Sequence, residues 1–502
     1  MTATPPLPYR SALIIAGCAG VLTLIYVLAS VIAGQPGFPL DDSWIHQVYG
    51  RNLATYGQWA FLAGVPSQAS TSPLYTVLLA IGYRLGLPYF AWTHGLGAAG
   101  LAALGMIGAS VAGKFYPSVK GVRLWTGLMM ISSWHFVWSA AAGMETVIFC
   151  AFVIGCVAAV NAPIGFGVVA GLTILTRPEG LVAVGIVGLC YIASDPESDL
   201  KKRLIRAVRW GGLAGVAFSI VIAPYLALNL SLTGTPLPNT SAAKQAENAI
   251  LLTKPYLERV ADMTYPLIAG GQLLVLPGFI VGIGMLIQQS RKSRVAWQAW
   301  AFPLWSLALI LLYAWRLPTP YQHGRYVIPA LTGYFMIACG GVLVLVQRRY
   351  RQSLPRILAR TTALLALVGF PTFWAIGVTI YTKETGLING EMVLASHWIN
   401  HNIPPESGLL ATHDIGALGY FTPRPLFDLA GLVTPEIIPY ITDFPAVVRQ
   451  MEVRGVRYLM ASDSQLPMPA TDRRLCLLYE TPGEENPAHM KVYRIAWNGP
   501  CR

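Results

Sequence analysis

Long apolar runs separated by short polar breaks fill the first three quarters of the chain, and the pattern predicts membrane-spanning helices. The first run, Ser11 to Gly34 (SALIIAGCAGVLTLIYVLASVIAG), is long enough at 1.5 Å per residue to cross a hydrocarbon layer of about 30 Å. It shows no small-residue cleavage site and many runs follow it, so it reads as a retained span. Further spans are expected near 88–112, 123–140, 144–161, 163–175, 180–193, 210–230, 267–289, 297–315, 326–347 and 359–381, making eleven, with ten to thirteen as the range. The segment SPLYTVLLAIGYRLG (Ser72 to Gly86) is the ambiguous one: as a helix it rises about 22 Å, too little to cross, and reads as lying at the interface.

Past Tyr381 the pattern changes. The remaining residues are polar and Pro-rich, with strand-like pieces GLLAT (Gly408 to Thr412), VRYLMA (Val456 to Ala461) and LCLLYE (Leu475 to Glu480). The stretch Thr412 to Leu432 reads as strand, short helix, strand. The expected architecture is therefore a polytopic all-α transmembrane domain over 1–381, including an outer loop 35–89, followed by a small α/β or α+β domain over 382–502.

Composition agrees with the membrane reading: 54% of residues are hydrophobic and only 12% charged, too lopsided for an ordinary soluble fold. The net charge of +12 does not point to nucleic acid, because the positives gather in short loops between apolar runs. Lys201 to Arg209 (KKRLIRAVR), Arg291 to Arg294 (RKSR) and the RRYR run from Arg348 fit cytoplasmic anchors. With Arg10 also inside, eleven spans place the tail outside the cytoplasm, in a bacterial plasma-membrane arrangement. Cys476 and Cys501 could then pair, or stay as thiols; the other cysteines lie in apolar runs without metal-like spacing.

Candidate chemistry begins at GFPLDDSWIH. Asp41 and Asp42 stand just outside the first span, where one carboxylate could act as a general base or hold a divalent cation, or the pair could simply hydrate a helix end. If the backbone there is extended, the two side chains point to opposite faces. Trp44, Tyr49, Tyr56 and Trp59 follow, suited to a carbohydrate floor or to a headgroup interface. Glu145 in GMETVIF is a second acid or a helix cap, and Arg177 and Glu179 in TRPEG are site residues or a mutual pair at a Pro-Gly break. Lys244 and Asn239 in PLPNTSAAK, with His323 and Arg325 in QHGRYVIP, form a cationic and hydrogen-bonding set suited to a lipid-linked phosphate. His413 and Asp414 in the tail either cap a turn or touch an acceptor. No nucleophile motif, dinucleotide fingerprint or phosphate-binding GxxxxGK loop is present.

Taken in order, LDDSWIHQVYGRNLATYGQWAF, TSPLYTVLLA, GMETVIF, LTRPEGL, LPNTSAAK and HGRYVIP resemble the multispanning glycosyltransferase C superfamily, and within it bacterial arabinofuranosyltransferase-like proteins that work on cell-envelope glycans. The resemblance covers most of the chain and extends to DIGALGYFTPRPLFDLAGL in the tail. It implies transfer of a sugar from a polyprenyl-phosphate donor to an extracytoplasmic glycan acceptor, by a single displacement that inverts the anomeric centre. It implies that Asp41 or Asp42 is the first-loop carboxylate assigned to catalysis, acting as base, that Glu145 matches a second acidic position, and that Lys244, His323 and Arg325 meet the donor phosphate. Two other classes remain at this point: a lipid or glycan transporter, which would spread ionisable residues along a transmembrane path, and a non-catalytic envelope assembly protein that binds glycan.

Overall fold

The computed structural model describes residues 7–236, 238, 240–348, 351–482 and 489–501. It divides into two compact units, each assembled from separate stretches of chain: 1–26, 94–225 and 254–379 form the first, and 27–93, 226–253 and 380–502 the second. The whole of the first loop, 35–89, falls in the second unit.

Among the described residues, six helices are long and apolar enough to cross a membrane: Tyr9–Ile32, Tyr89–Phe115, Leu200–Leu232, Arg294–Arg316, Ala330–Gln347 and Ser353–Asn402. Four shorter apolar helices, Val122–Ile131, Thr146–Ala159, Pro163–Thr176 and Gly180–Ala193, fall where further spans were expected. The run read as one span over 123–140 is instead two helices, Val122–Ile131 and Trp134–Ala141. The Ser132–Ser133 pair lies at the break, where hydroxyl side chains offer the backbone an alternative to the helical ladder. The helix expected over 359–381 runs from Ser353 to Ile388 and continues through a π-helical turn, Asn389–Val393, into Leu394–Asn402.

Among the described residues, the first unit packs as helices alone. One buried cluster joins Phe149 and Val153, Ala183, Met263, Trp305, Leu309 and Ile310, and Val327 and Ala330. Small residues set the closest approach: a Cβ on Gly341 would lie 1.9 Å from the carbonyl oxygen of Gly278, so neither helix could carry a larger side chain there. The break after Thr176 is a consequence of Pro178, which disfavours helical backbone at Arg177; that residue is extended, with φ −153° and ψ 136°.

The second unit is mixed. A small hairpin pairs β1 (Ala60–Leu62) with β2 (Val65–Pro66). A separate sheet of five strands, among the described residues, has the order β4-β3-β5-β7-β6, built from β3 (Leu409–Thr412), β4 (Leu426–Asp428), β5 (Val456–Ala461), β6 (Leu475–Glu480) and β7 (Lys491–Ile495). Strands β4, β3 and β5 run parallel, and β7 and β6 add antiparallel strands. Successive residues face opposite layers, as the pleat requires: Ala411, Leu459 and Tyr493 pack with Val447 and Met451, while Leu410, Met460 and Val492 pack with Ala395 and Ile399. Both faces are covered, so the central strands read as apolar runs. Cys476 and Cys501 form a disulfide.

The first loop departs most from expectation. It is not extended around the two acids, because Asp41–Tyr56 is a helix; the segment read as a helix at Ser72–Gly86 is one over Pro73–Arg84. Asp41 and Asp42 occupy the first helical turn, a placement favoured by the helix dipole, so their side chains diverge by about 100° rather than to opposite faces. Trp44, Tyr49 and Trp59 are buried, and Trp44 packs against Phe38, Tyr89, Tyr420 and Phe421, so these aromatics form core; Tyr56 alone of the four is exposed. Farther along the chain, Thr240–Glu247 and Tyr256–Ile268 are also helices.

Candidate active site

Within the second unit, four separate pieces of chain converge on a charged cluster. The head of the Asp41–Tyr56 helix supplies Asp41; its Oδ2 accepts from the Gly416 N–H at 2.6 Å and its Oδ1 from the Ala417 N–H at 2.8 Å. Those donors open the short Gly416–Phe421 helix, whose first N–H groups have no intrahelical partner. Just before them, the turn after β3 carries His413 and Asp414. His413 Nδ1 lies 3.2 Å from Asp414 Oδ1, and its Nε2 lies 3.1 Å from Glu247 Oε1 in the Thr240–Glu247 helix. Lys244 Nζ stands 3.4 Å from Glu247 Oε2, one helical turn away. From the turn after β5, Gln465 donates Nε2 to Asp414 Oδ2 at 2.7 Å.

The location follows from topology. β3, β4 and β5 are parallel, and His413, Asp414, Gln465 and the buried Asp428 all lie at or just beyond their carboxyl ends, the edge at which open α/β sheets gather ligands.

Charge and burial determine the protonation of the group. Burial pushes the Asp41 carboxyl up to about 7, helped by the negative charges of Asp414 and, less strongly, Asp42, while the Ala417 and Gly416 N–H groups pull the other way. His413 is opposed by burial, yet its hydrogen bonds to Asp414 and Glu247 and their charges hold it up at about 10, so it is a cation at neutral pH. Burial resists ionisation of Glu247 and Asp414 too; His413 outweighs it and holds both carboxyls below the usual range. The result is ionised acids around one imidazolium and one ammonium, with a carboxyl beside them near its midpoint at neutrality. A general base works best in that state.

The first unit holds a different constellation. Arg177, buried in the break between Pro163–Thr176 and Gly180–Ala193, places Nε 2.6 Å from Glu179 Oε1 and Nη1 3.4 Å from Glu145 Oε1. Tyr313 donates its hydroxyl to Glu179 Oε1 at 2.9 Å, and the guanidinium lies over the Phe149 and Tyr326 rings. Glu145 stands at the start of Thr146–Ala159 without a side-chain cap bond, so the capping alternative gives way to the ion pair with Arg177. Arg325 is buried, donates Nη2 to the Tyr326 hydroxyl at 3.1 Å and lies over that ring. His323 follows Gln322 in left-handed backbone, φ 59° after 53°, a costly conformation for side-chain-bearing residues, and its ring meets Trp134 and Trp138 edge-on.

Of the residues singled out in the sequence, the structure thus groups Asp41, Asp42, Lys244, His413 and Asp414 in one unit and Glu145, Arg177, Glu179, His323 and Arg325 in the other. Asn239 lies outside the described residues, as does part of the RRYR run. Sequence reasoning missed Glu247, Gln465, Gly416 and Tyr313. Glu247 carried a signal, its i,i+3 spacing from Lys244 on a short helix; Gln465 and Tyr313 carried none, since their partners lie tens of residues away or more. Among the described residues, no group of three or more His, Cys, Asp or Glu side chains is disposed to hold a metal ion.

Comparison with solved structures gives extensive matches. ArnT from Cupriavidus metallidurans bound to undecaprenyl phosphate superimposes with a TM-score of 0.59 at 14% identity, over 96% of this chain and 98% of that one. The oligosaccharyltransferase AglB from Archaeoglobus fulgidus, in complex with an inhibitory peptide and a dolichol-phosphate, gives 0.57 at 10% identity over 90% and 69%. These proteins share one superfamily. The chain has the glycosyltransferase C fold. A third structure of the fold, the arabinofuranosyltransferase AftD from Mycobacteria, matches 99% of this chain but 40% of its own length, with a TM-score of 0.54 at 14% identity. Residues 379–496 match a family described as "Domain of unknown function (DUF8728)". Comparison with curated protein sequences gives no match.

Proposed function

We propose that the chain is a membrane glycosyltransferase that moves a sugar from a polyprenyl-phosphate carrier to a hydroxyl of an extracytoplasmic envelope glycan. The observation that carries the reading is Asp41: a carboxyl at the head of a helix, held near neutrality inside a charged cluster, in a chain with the glycosyltransferase C fold. In the reaction the acceptor oxygen attacks the anomeric carbon as the bond from that carbon to the phosphate oxygen breaks. Asp41 takes the acceptor proton, and polyprenyl phosphate leaves with the bonding electrons. One displacement inverts the anomeric centre. Asp414 and, less strongly, Asp42 shape the field around the base, and no metal step is required by this scheme.

The nature of the donor is supported by the fold match to a structure bound to undecaprenyl phosphate. Arabinofuranose is the first sugar to test, on the strength of the AftD match. Lys244 of the second unit and, separately, His323 and Arg325 of the first are our candidates for a contact to the donor phosphate, since a guanidinium and an ammonium each recognise phosphate oxygens. We place the tail outside the cytoplasm, and the Cys476–Cys501 disulfide supports this because such bonds persist in oxidising compartments. Fold and apolar helices both favour a membrane location over a soluble one.

Purified protein incubated with a panel of polyprenyl-phosphate sugars and envelope-glycan acceptors, with product mass and linkage analysis, tests the proposal. A glycosylated acceptor of inverted configuration is expected; donor binding without any product across the panel would favour the assembly-protein alternative.

A further inference from the structure

We propose that the Thr412–Ala417 turn of the tail is the positioning element for Asp41, so that the base is completed by a piece of chain some 370 residues away. The inference rests on the catalytic reading of Asp41 for its meaning but on packing for its evidence.

Three observations combine. Both oxygens of Asp41 are occupied by backbone donors of the tail, one each, so the carboxylate plane is fixed by Gly416 and Ala417 rather than by its own helix. Gly416 is a site of close approach: a Cβ there would lie 2.0 Å from the Asp41 carbonyl oxygen and 2.8 Å from its Oδ2, so any larger residue must separate the two segments. The same turn also sets the local charge, because Asp414 lies two residues before Gly416 and is itself fixed by His413 and Gln465.

The charged groups facing Asp41 or its neighbours are therefore Asp42 on its own helix, Asp414 and His413 from the turn after β3, Glu247 and Lys244 from the Thr240–Glu247 helix, and Asp428 from the end of β4. Two parts of the turn act on the carboxyl in opposite senses. The Gly416 and Ala417 N–H groups favour the ionised form, and the Asp414 charge favours the protonated form.

That opposition supplies a test that loosening of the fold cannot imitate. A hydrophobic carbodiimide reacts with a carboxyl group while it is protonated. Full-length purified protein is labelled with dicyclohexylcarbodiimide between pH 5 and 9, and modification of the Asp41 peptide is read by mass spectrometry, with Asp41→Asn identifying the signal. In wild type, labelling is expected to fall through its half-point near neutrality. Gly416→Ala, which parts Asp41 from its amide donors, should move the half-point to higher pH, and Asp414→Asn, which removes the repelling charge, should move it lower, each by about one pH unit. Half-points that stay at the wild-type value, or move in the same direction, would overturn the proposal, as would a wild-type Asp41 that takes no label at any pH. Where Gly416→Ala fails to fold, Ala417→Pro removes one donor N–H and should shift the half-point upward as well; a fall would count against the inference. The labelling needs no turnover, so its failure and the failure of the catalytic reading are separate results.

Discussion

Each unit of this protein buries acids beside a cation, and the two clusters solve the problem differently. In the first unit a single guanidinium stands between Glu145 and Glu179, with Tyr313 donating to one of them, and aromatic rings cover it. The centre of that arrangement keeps its charge at any working pH. In the second unit the cation is an imidazolium, the acids outnumber the cations, and the backbone of another segment holds the carboxyl that is least committed to either state. On the function proposed above, the proton is exchanged in the second cluster. Burial of charge is thus no guide to chemistry by itself; the second cluster adds to it a carboxyl, Asp41, that burial and neighbouring charge push up to about 7.

The contrast can be broken most forcefully at Arg177. Removing one partner of a buried ion network leaves unpaired charge at a cost of about 3–5 kcal/mol, so Arg177→Met should lower the thermal midpoint of the detergent-solubilised protein sharply. An unchanged midpoint combined with lost turnover would move this cluster from a structural role to a chemical one. A pH series sharpens the contrast next. His413 rises from 6.5 to about 10 on folding and Asp41 from 3.8 to about 7. For a group raised on folding, its contribution is complete below the unfolded value and is lost as pH climbs through the folded one. Stability of the second unit should therefore decline between about pH 4 and 7 through Asp41 and between about 6.5 and 10 through His413. Peptide-resolved amide exchange, corrected for intrinsic rates, should show Thr412–Ala417 losing protection on going from pH 7 to 10 while the peptides around Arg177 hold theirs; parallel loss in both would erase the distinction. The smallest expected effect is at Tyr313→Phe, which removes one hydrogen bond to Glu179 and should cost about 1–2 kcal/mol of stability without moving the pH dependence of turnover.

The sequence exposed these two clusters unequally. Arg177 and Glu179 are two residues apart on either side of a proline, so their pairing is local chemistry, visible as a string. The second cluster needs Asp41, Glu247, Asp414 and Gln465 to meet, and only folding of the sheet brings them together. Helices were read well where a long apolar run is unbroken, as at Tyr9–Ile32 and Tyr89–Phe115, and misread at 123–140, where Ser132–Ser133 splits the run. The Asp41–Tyr56 helix escaped because its inward face is partly polar: Gln47 donates to Thr93 Oγ1, and Asn52 to the Ala60 and Phe61 carbonyls, so its hydrophobic period is faint. In the tail, β3, β5 and β6 announced themselves by apolar content. β7 did not, because Lys491 and Arg494 interrupt it, and it is a strand by virtue of pairing with both β5 and β6.

Turnover of a polyprenyl-phosphate sugar by full-length Asp41→Asn protein, beside wild type and with donor binding measured on the same samples, tests the central claim most directly. Loss of a general base should reduce turnover by about 100- to 10,000-fold while binding of the donor persists. Turnover close to wild type in a folded Asp41→Asn protein would show that the proton is taken elsewhere.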